Sequence, residues 1–459
     1  MSFLFSNITI VPKVSSKGMD RFVQMSIQLF HHLRLNRDQE LIITIGRTSK
    51  NIKIQIVDTE HNMLILPEWL MRDFDLPIKK IKFQAFYSPN INTLQLGPII
   101  GLITEVGADE FNQPFFHSIH GFCEELHLGI LENGGLFYVF SLDDFSRQGY
   151  YFEEDKWIPA QLPIPDVIYN RIHSRRQEKT DQFQQFRKKI ESLNIPIFND
   201  RFLSKWEVYK HLNDQSHLHS FIPETKIFSK ENLFDFAQKY ETVFIKPVHG
   251  SQGRNIIKIL KIRENFFSIQ TSFTSSTKNI DQIFSLNEIY QQIKPLLTNR
   301  IFLIQQGIPL LTHNTSAMDF RVLCHKNEIH SWNITSIVAR VAADQEFVSN
   351  LARGGTILRP LIALQTCMEP KSASEALSLM KELAVEIAEC ISRCSNGITG
   401  ELGVDIGIDN NGRPWLIEVN SKPSKLFEDG QGKIRPSARA IIHFCTKLAK
   451  DVITDKEVR

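Results

Sequence analysis

The chain has 459 residues, 42% of them hydrophobic and 23% charged, a balance typical of globular proteins able to bury sizeable cores, and its length predicts roughly two to four domains. Fifty-three Lys and Arg against 51 Asp and Glu leave a net charge of +2, so bulk electrostatics gives no case for nucleic acid or a membrane surface as partner. No apolar run approaches the ~18 residues of a membrane span, and the opening MSFLFSNITIVPK lacks the basic start and long apolar core of a signal peptide.

Residues 1 to 92 read as a β-rich extension, with β-branched or alternating stretches at Leu41 to Ile45, Ile52 to Val57 and Ile81 to Phe86 separated by polar turns. A small α/β domain is expected over 93–197. LGPIIGLIT is of buried-strand type, a helix is predicted from Asn112 to Leu131, and strands follow at Phe137 to Phe140 and Asp166 to Tyr169. Asn170 and Arg171 close that last strand, where open α/β sheets bind ligands; the alternative is a capping Asn and a surface Arg. The six cysteines, at 123, 324, 367, 390, 394 and 445, form no C-x-x-C pair and no metal-ligand array, which makes a reducing cytosol the default. The 33 phenylalanines are read as core filler.

From 198 to 459 the chain carries more chemistry. Ser204 is a helix N-cap in SKWEVYKHL, so the Lys205 ammonium projects beside a helix N-terminus, where anions collect. TVFIKPVHGSQGRNIIKI gives a strand ending in Lys246, a loop with Gly250, Ser251 and Gly253, and another strand. Glycines let backbone amides approach phosphate oxygens, and the lysine supplies a fixed charge. This is neither a Walker A loop nor the kinase order of glycine loop before lysine; alone it is weaker than an ordinary hairpin turn. IFLIQQGIPL is a buried strand running into Gln305, Gln306, Gly307 and Ile308, and MDFRVLCHKN sets Asp319 and Arg321 on one strand face. Arg340 ends a β-rich stretch, FVSNLARGGT offers Asn350, Arg353, Gly354 and Gly355 in a loop, and Ser374 to Ser392 is an amphipathic helix that serves as scaffold.

ELGVDIGIDNNGRPWLIEVNSKP, Glu401 to Pro423, reads as a hairpin turning at Asn411-Gly412. Leu402, Val404, Ile406 and Ile408 share one face, with Asp405 between two glycines on the other. In the return strand Trp415, Ile417 and Val419 share a face, and Leu416, Glu418 and Asn420 point the opposite way. Counting out from a two-residue turn sets Asp405 across from Glu418, and like charges opposed on one sheet face repel. Such a surface needs a cation, and its hard oxygen donors suit Mg²⁺ or Mn²⁺ and not Zn²⁺. Removing one charge, as in Asp405→Asn, is then expected to relieve strain in the metal-free protein. A solvated acidic hairpin is the alternative.

The succession of lysine, strand lysine with glycine loop, D-x-R, arginine, N-L-x-R-G-G, G-V-D-I and E-V-N-x-x-P resembles the ATP-grasp superfamily, and its nearest amino-acid ligase pattern is of the RimK type. LGPIIGLIT, PDVIYNR, SKWEVYK and GSQGRNI, with the N-terminal extension, resemble the YheC/YheD group of endospore coat-associated ATP-grasp proteins. The resemblance implies an α+β fold of ATP-grasp type, preceded by the small α/β domain and the β-rich extension. It implies that Lys205 and Lys246 contact nucleotide, that the Gly250, Ser251, Gly253 loop closes over phosphates, and that Gln305, Gln306 and Ile308 form the hinge at the adenine edge. Gln306 stands where many members carry a glutamate that binds ribose. Asp405, Glu418 and Asn420 would hold Mg²⁺ (or Mn²⁺), Arg321 and Arg340 would stabilise the transferring phosphoryl group, and Asn350 with Arg353, Gly354 and Gly355 would line the acceptor side. For each arginine a surface ion pair is the alternative. The implied activity is an ATP-dependent carboxylate-amine ligase acting through an acyl phosphate. Its substrates would be small-molecule or peptide carboxylates and amines, its partners would include spore coat proteins, and its place would be the mother-cell cytoplasm or the coat. A non-catalytic coat component and a phosphotransferase on the same fold are the other readings.

Overall fold

A computed structural model describes residues 4–14, 22–35, 40–59, 61–250, 253–273, 278–298, 300–328, 331–343, 354–425 and 434–458. The β-rich start closes on itself: strands from Leu4–Lys13 to Thr93–Gly97 form a seven-stranded barrel. Leu41–Ile45 is a strand as expected, while its neighbours extend to Thr48–Val57 and Ile81–Ser88.

The next sheet has six strands, with Ile99–Ile103 paired in parallel to Leu136–Phe140 on one side and to Val167–Asn170 on the other. Every residue of Ile99–Ile103 and of Leu136–Phe140 is buried, because both faces are covered. Ile99, Ile103, Leu136, Tyr138 and Phe140 pack with the barrel core. Ile100, Leu102, Phe137 and Val139 pack instead with the helix His120–Glu132 and the C-terminal helix Pro436–Val458. That first helix begins eight residues later than its apolar pattern predicts. Residues Gly107–Ala108 pair with Pro114–Phe115 across a turn in which the Asp109 carboxylate accepts from the Phe111 and Gln113 amides at 2.9 and 2.8 Å. The hairpin of Gly149–Glu153 with Lys156–Ala160 and the helix Asp181–Ser192 were not read from the sequence.

Two further sheets carry the rest. One is antiparallel, in the order Thr225–Ile227, Phe302–Gln306, Thr242–Pro247, Ile257–Arg263, Phe266–Thr271, Lys278–Phe284, and the helices Lys230–Lys239 and Leu286–Ile293 bury Leu233, Phe236, Ile289 and Ile293 against it. The other runs Thr356–Leu358, Ser331–Val341, Ser316–Glu328, Glu401–Ile408, Pro414–Asn420 and packs on the long helix Pro370–Cys394. The scaffold helix is thus longer at both ends than its expected span. Phenylalanine fills these cores: Phe74, Phe83, Phe122, Phe137, Phe198, Phe236 and Phe320 are all fully buried. Among the described residues no cysteine is in a disulfide, and no helix is long and apolar enough to cross a membrane.

Candidate active site

The last two sheets face each other across a cavity of about 870 Å³. On the first wall, strand pairing sets Thr225, Gln305, Phe244, Lys258 and Gln270 in one row across the sheet. Lys246 is two residues past Phe244 and so on the same face. Its ammonium donates to Gln305 Oε1 at 2.7 Å, and Gln305 Nε2 donates to Thr225 Oγ1 at 3.0 Å, which fixes the amide with its oxygen towards the lysine. Burial, and then repulsion by Lys205, pull the Lys246 ammonium down to about 8 against the attraction of Glu418.

Gly250 and Gly253 line the cavity beyond this strand, with Gly253 in the left-handed region at φ +64°. Ser251 lies outside the described residues. At the hinge, the Gln306 amide donates to the Glu224 carbonyl at 2.9 Å and its side-chain oxygen accepts from the Glu224 amide at 3.2 Å. Gly307 N donates to the Thr242 carbonyl at 2.8 Å. Ile308 lines the cavity beside them. Phe244, Lys258, Thr242 and Trp415 also line it and were not singled out from the sequence, although alternation from Lys246 and pairing across the hairpin point to the first three.

The second wall is a charged row. Arg321 pairs across strands with Asp405, Asp405 with Glu418, and Asp319 with Arg340. Asp405 accordingly lies opposite Glu418 as predicted, but by a different route. The turn is longer than two residues: Ile408 pairs with Pro414, and the Asp409 carboxylate accepts from the Asn411 and Arg413 amides at 2.9 and 3.0 Å. A bulge at Ile417 then restores the register. The bulge also corrects the expected facing, since Leu416, though it borders the cavity, joins Val419 in the core, and Trp415 and Ile417 line the cavity with Glu418 and Asn420.

The expectation that these carboxylates need a cation is met by the chain itself. Arg321 binds Asp405 through Nε and, at 3.0 Å, through Nη2, and Arg340 Nη2 reaches Asp405 Oδ2 at 3.1 Å. Arg340 also holds Asp319 at 2.6 and 2.7 Å. Glu418 is bound by the ammonium of Lys205, whose helix is capped by Ser204 accepting from Glu207 N at 3.1 Å. Asn420 Nδ2 lies 3.4 Å from Asp405 Oδ2. Burial alone would raise the Asp405 carboxyl, yet the two arginines hold it down at about 2. The arginines are therefore buried partners, correcting the surface ion-pair alternative.

Lys205, Lys246, Gly250, Gly253, Gln305, Gln306, Ile308, Arg321, Arg340, Asp405, Glu418 and Asn420 all border this one cavity. Gly354 and Gly355 do not line it, and Asn350 and Arg353 lie outside the described residues. Arg171 is buried and is no surface charge, whereas Asn170, also buried, accepts from the Ile172 amide at 3.0 Å as a capping side chain does. Asn170 Nδ2 donates to Glu178 at 3.0 Å, and Arg171 donates to Glu401 at 2.9 Å and to the Pro423 carbonyl at 3.1 Å. Arg171 thereby braces the loop that follows Asn420.

Comparison with known proteins agrees with the motif order. Endospore coat-associated protein YheD of Bacillus subtilis (strain 168) is 26% identical over 426 residues, covering 90% of this chain and 91% of that protein. YheC of the same strain is 23% identical over 281 residues, 60% of this chain and 75% of that one. Among solved structures, the D-alanine-D-alanine ligase from Coxiella burnetii superposes with a TM-score of 0.46 at 10% identity, covering 79% of this chain and 98% of the ligase. The VanG D-Ala:D-Ser ligase from Enterococcus faecalis gives 0.43 at 12%, covering 77% and 98%. The family model described as YheC/D like ATP-grasp matches residues 194–448, more than half of the sequence, and the chain belongs to that ATP-grasp family.

Proposed function

We propose that the protein is an ATP- and Mg²⁺-dependent ligase that activates a carboxylate as an acyl phosphate and passes it to an amine. The observation that supports this most is the cavity's polarity: lysines and glycines on one wall face carboxylates and arginines on the other. Lys246 and Lys205 would bind phosphate oxygens, with Gly250 and Gly253 beside them. The hinge at Gln305 to Ile308 would meet the base with backbone groups, and Phe244 would supply an apolar surface.

Asp405, Glu418 and Asn420 offer only hard oxygen donors at neighbouring positions on one face, a set that fits Mg²⁺ in chemistry. When bound, the ion would neutralise charge on the phosphate oxygens. Glu418 would then exchange Lys205 for the metal, which leaves that ammonium for phosphate. Arg321 and Arg340, fixed by Asp405 and Asp319, are preorganised donors for charge that develops on a transferring phosphoryl group.

Hydroxylamine tests the reading. With Mg·ATP and a panel of carboxylates, the expected products are ADP and a hydroxamate, both suppressed in Arg340→Ala. AMP with pyrophosphate would mean attack at the α-phosphate and another site geometry. ADP with a stable phosphorylated acceptor and no hydroxamate would favour a phosphotransferase.

A non-catalytic, nucleotide-binding coat component is the second reading. It is favoured by the neutralisation of both acids by cations of the chain, and by the coat association in the names of the YheC and YheD relatives. Mg·ATP binding without turnover across the panel would support it.

A further inference from the structure

The strand Pro414–Asn420, which carries Glu418 and Asn420 into the cavity, is anchored from behind by residues of another sheet. Beyond its last pair, Asn420 with Gly403, a side chain joins the two chains of the hairpin. Asn199 follows Ile197–Phe198, the last strand of the sheet built on Ile99–Ile103, and is 3% exposed. Its Oδ1 accepts from the Gly400 and Glu401 amides at 2.9 and 3.3 Å, and its Nδ2 donates to the Glu401 and Ser421 carbonyls at 3.2 and 2.8 Å. Its backbone is left-handed, at φ +52°, a conformation asparagine adopts more readily than most residues.

The three residues after Asn420 are pinned one by one. Ser421 Oγ accepts from Leu203 N at 3.2 Å, in addition to the Asn199 bond on its carbonyl. Lys422 donates to the Ile172 carbonyl at 3.2 Å and is ion-paired with Glu178, and both side chains are buried. Glu178 is itself fixed, accepting from Asn170 Nδ2 at 3.0 Å and from Phe202 N at 2.9 Å. The Pro423 carbonyl takes the Arg171 bond, and the Pro423 ring lies over Gly403, where a Cβ would come within 2.8 Å of it.

A buried ion pair adds little stability over an apolar pair of the same size, and its best attested use is to fix register. Register is what this strand needs. Its bulge at Ile417 marks a place where the pairing can slip, and a slip of one residue turns every following side chain to the other face, here Glu418 and Asn420 into the core. The donors cannot hold the register themselves. Glu418 rests on Lys205, which it must leave to take an ion, and Asn420 Nδ2 is 3.4 Å from Asp405 Oδ2. Mg²⁺ accepts only near-octahedral geometry at ~2.0–2.1 Å, so the backbone behind its donors has to stay in place.

We infer that Asn199 and the Lys422–Glu178 pair are positioning residues for the metal site: they lock the register of the bulged strand from outside the cavity, so that Glu418 and Asn420 are presented together to a divalent cation. The α/β sheet is then a working part of that site. The inference rests on the Mg²⁺-dependent reading of the cavity.

Metal binding, read apart from turnover, tests it. Full-length protein is titrated with Mn²⁺ in the presence of a non-hydrolysable ATP analogue, and the ion held beyond that bound by the analogue alone is counted by electron paramagnetic resonance. Calorimetry in EDTA measures the analogue without metal. Lys422→Met, and Lys422→Met combined with Glu178→Gln, should each weaken Mn²⁺ about tenfold or more while leaving metal-free analogue affinity unchanged. The double variant leaves no lone buried carboxylate and should melt above the single one, so a Mn²⁺ defect that persists in it separates register from stability. Ser421→Ala, the mildest change and on a separate anchor, should lower Mn²⁺ affinity by a smaller factor. Mn²⁺ affinity that is unchanged, that recovers with the melting temperature in the double variant, or that falls only in step with metal-free affinity overturns the inference. If the unaltered protein holds no Mn²⁺ beyond the analogue's own, the metal-dependent reading is what fails, and the inference falls with it.

Discussion

Asp405→Asn removes the charge on which two buried arginines converge. Asp405 is 5% exposed and Arg321 and Arg340 are each 8% exposed, so solvent does little to compensate either side. Arg340 keeps both bonds to Asp319, whereas Arg321 loses its carboxylate partner, and the cost falls chiefly there. Breaking a buried pair by removing one partner costs ~3–5 kcal/mol, and because Asn keeps the shape and one acceptor oxygen we place this case at about 3 kcal/mol. At about 2–4 °C per kcal/mol for a unit of this size, the melting transition in the absence of ligand should fall by about 6–12 °C. The folded Asp405 carboxyl lies below its ordinary value of 3.8, at about 2, so its contribution is complete above 3.8 and is lost as the pH falls through about 2. Parent and variant should therefore converge on acidification. Scanning calorimetry between pH 2 and 7 measures this, and Asp405→Asn combined with Arg321→Met should recover part of the loss. An unchanged or raised melting temperature would mean that repulsion from Glu418 outweighs the arginine contacts, and the pairing argument would be wrong.

Lys246→Ala should weaken Mg·ATP binding by about ten- to a hundredfold, the loss of one charge-assisted contact, as read by titration calorimetry on the folded variant. Because the free Lys246 ammonium titrates at about 8, nucleotide affinity should decline as the pH rises through that value, and Lys246→Arg, which stays charged, should flatten the decline. Glu401→Gln should destabilise by about 3–5 kcal/mol in denaturant melts, since it strips the fully buried carboxylate shared by Arg171, Lys425 and His325. Gly307→Ala places a Cβ 2.7 Å from the Thr242 carbonyl oxygen at the hinge, so a loss of about 1–3 kcal/mol is expected, and none would mean that the hinge backbone gives way.

Much of the second wall was legible because a strand's period of two fixes which residues share a face. Leu402, Val404, Ile406 and Ile408 are all in the core, and Asp405 faces the cavity. The return strand was less so. A bulge adds one residue without any periodic signature, so the opposition of Asp405 and Glu418 came out right from a turn that was counted too short. Neutralisation by Arg321 and Arg340 was missed because it depends on which strands neighbour Glu401–Ile408, and a single sequence does not state sheet order. The barrel's closure is of the same kind: parallel pairings such as Leu41–Ile45 with Thr93–Gly97 join segments far apart in the chain. Arg171 shows the limit from the other side. Its place at a strand end suggested a ligand or a surface charge, and only the tertiary fold brings Glu401 and the Pro423 carbonyl to it.

Transfer of label from carboxylate to phosphate tests the central claim most directly. A panel of carboxylates labelled with ¹⁸O is incubated with the protein, Mg·ATP and hydroxylamine, and the released inorganic phosphate is weighed by mass spectrometry. Attack of the carboxylate oxygen on the γ-phosphorus, followed by cleavage of the acyl C–O bond, predicts that each phosphate formed with a hydroxamate carries one ¹⁸O from the substrate. Unlabelled phosphate released with ADP, or label recovered in AMP, would contradict it.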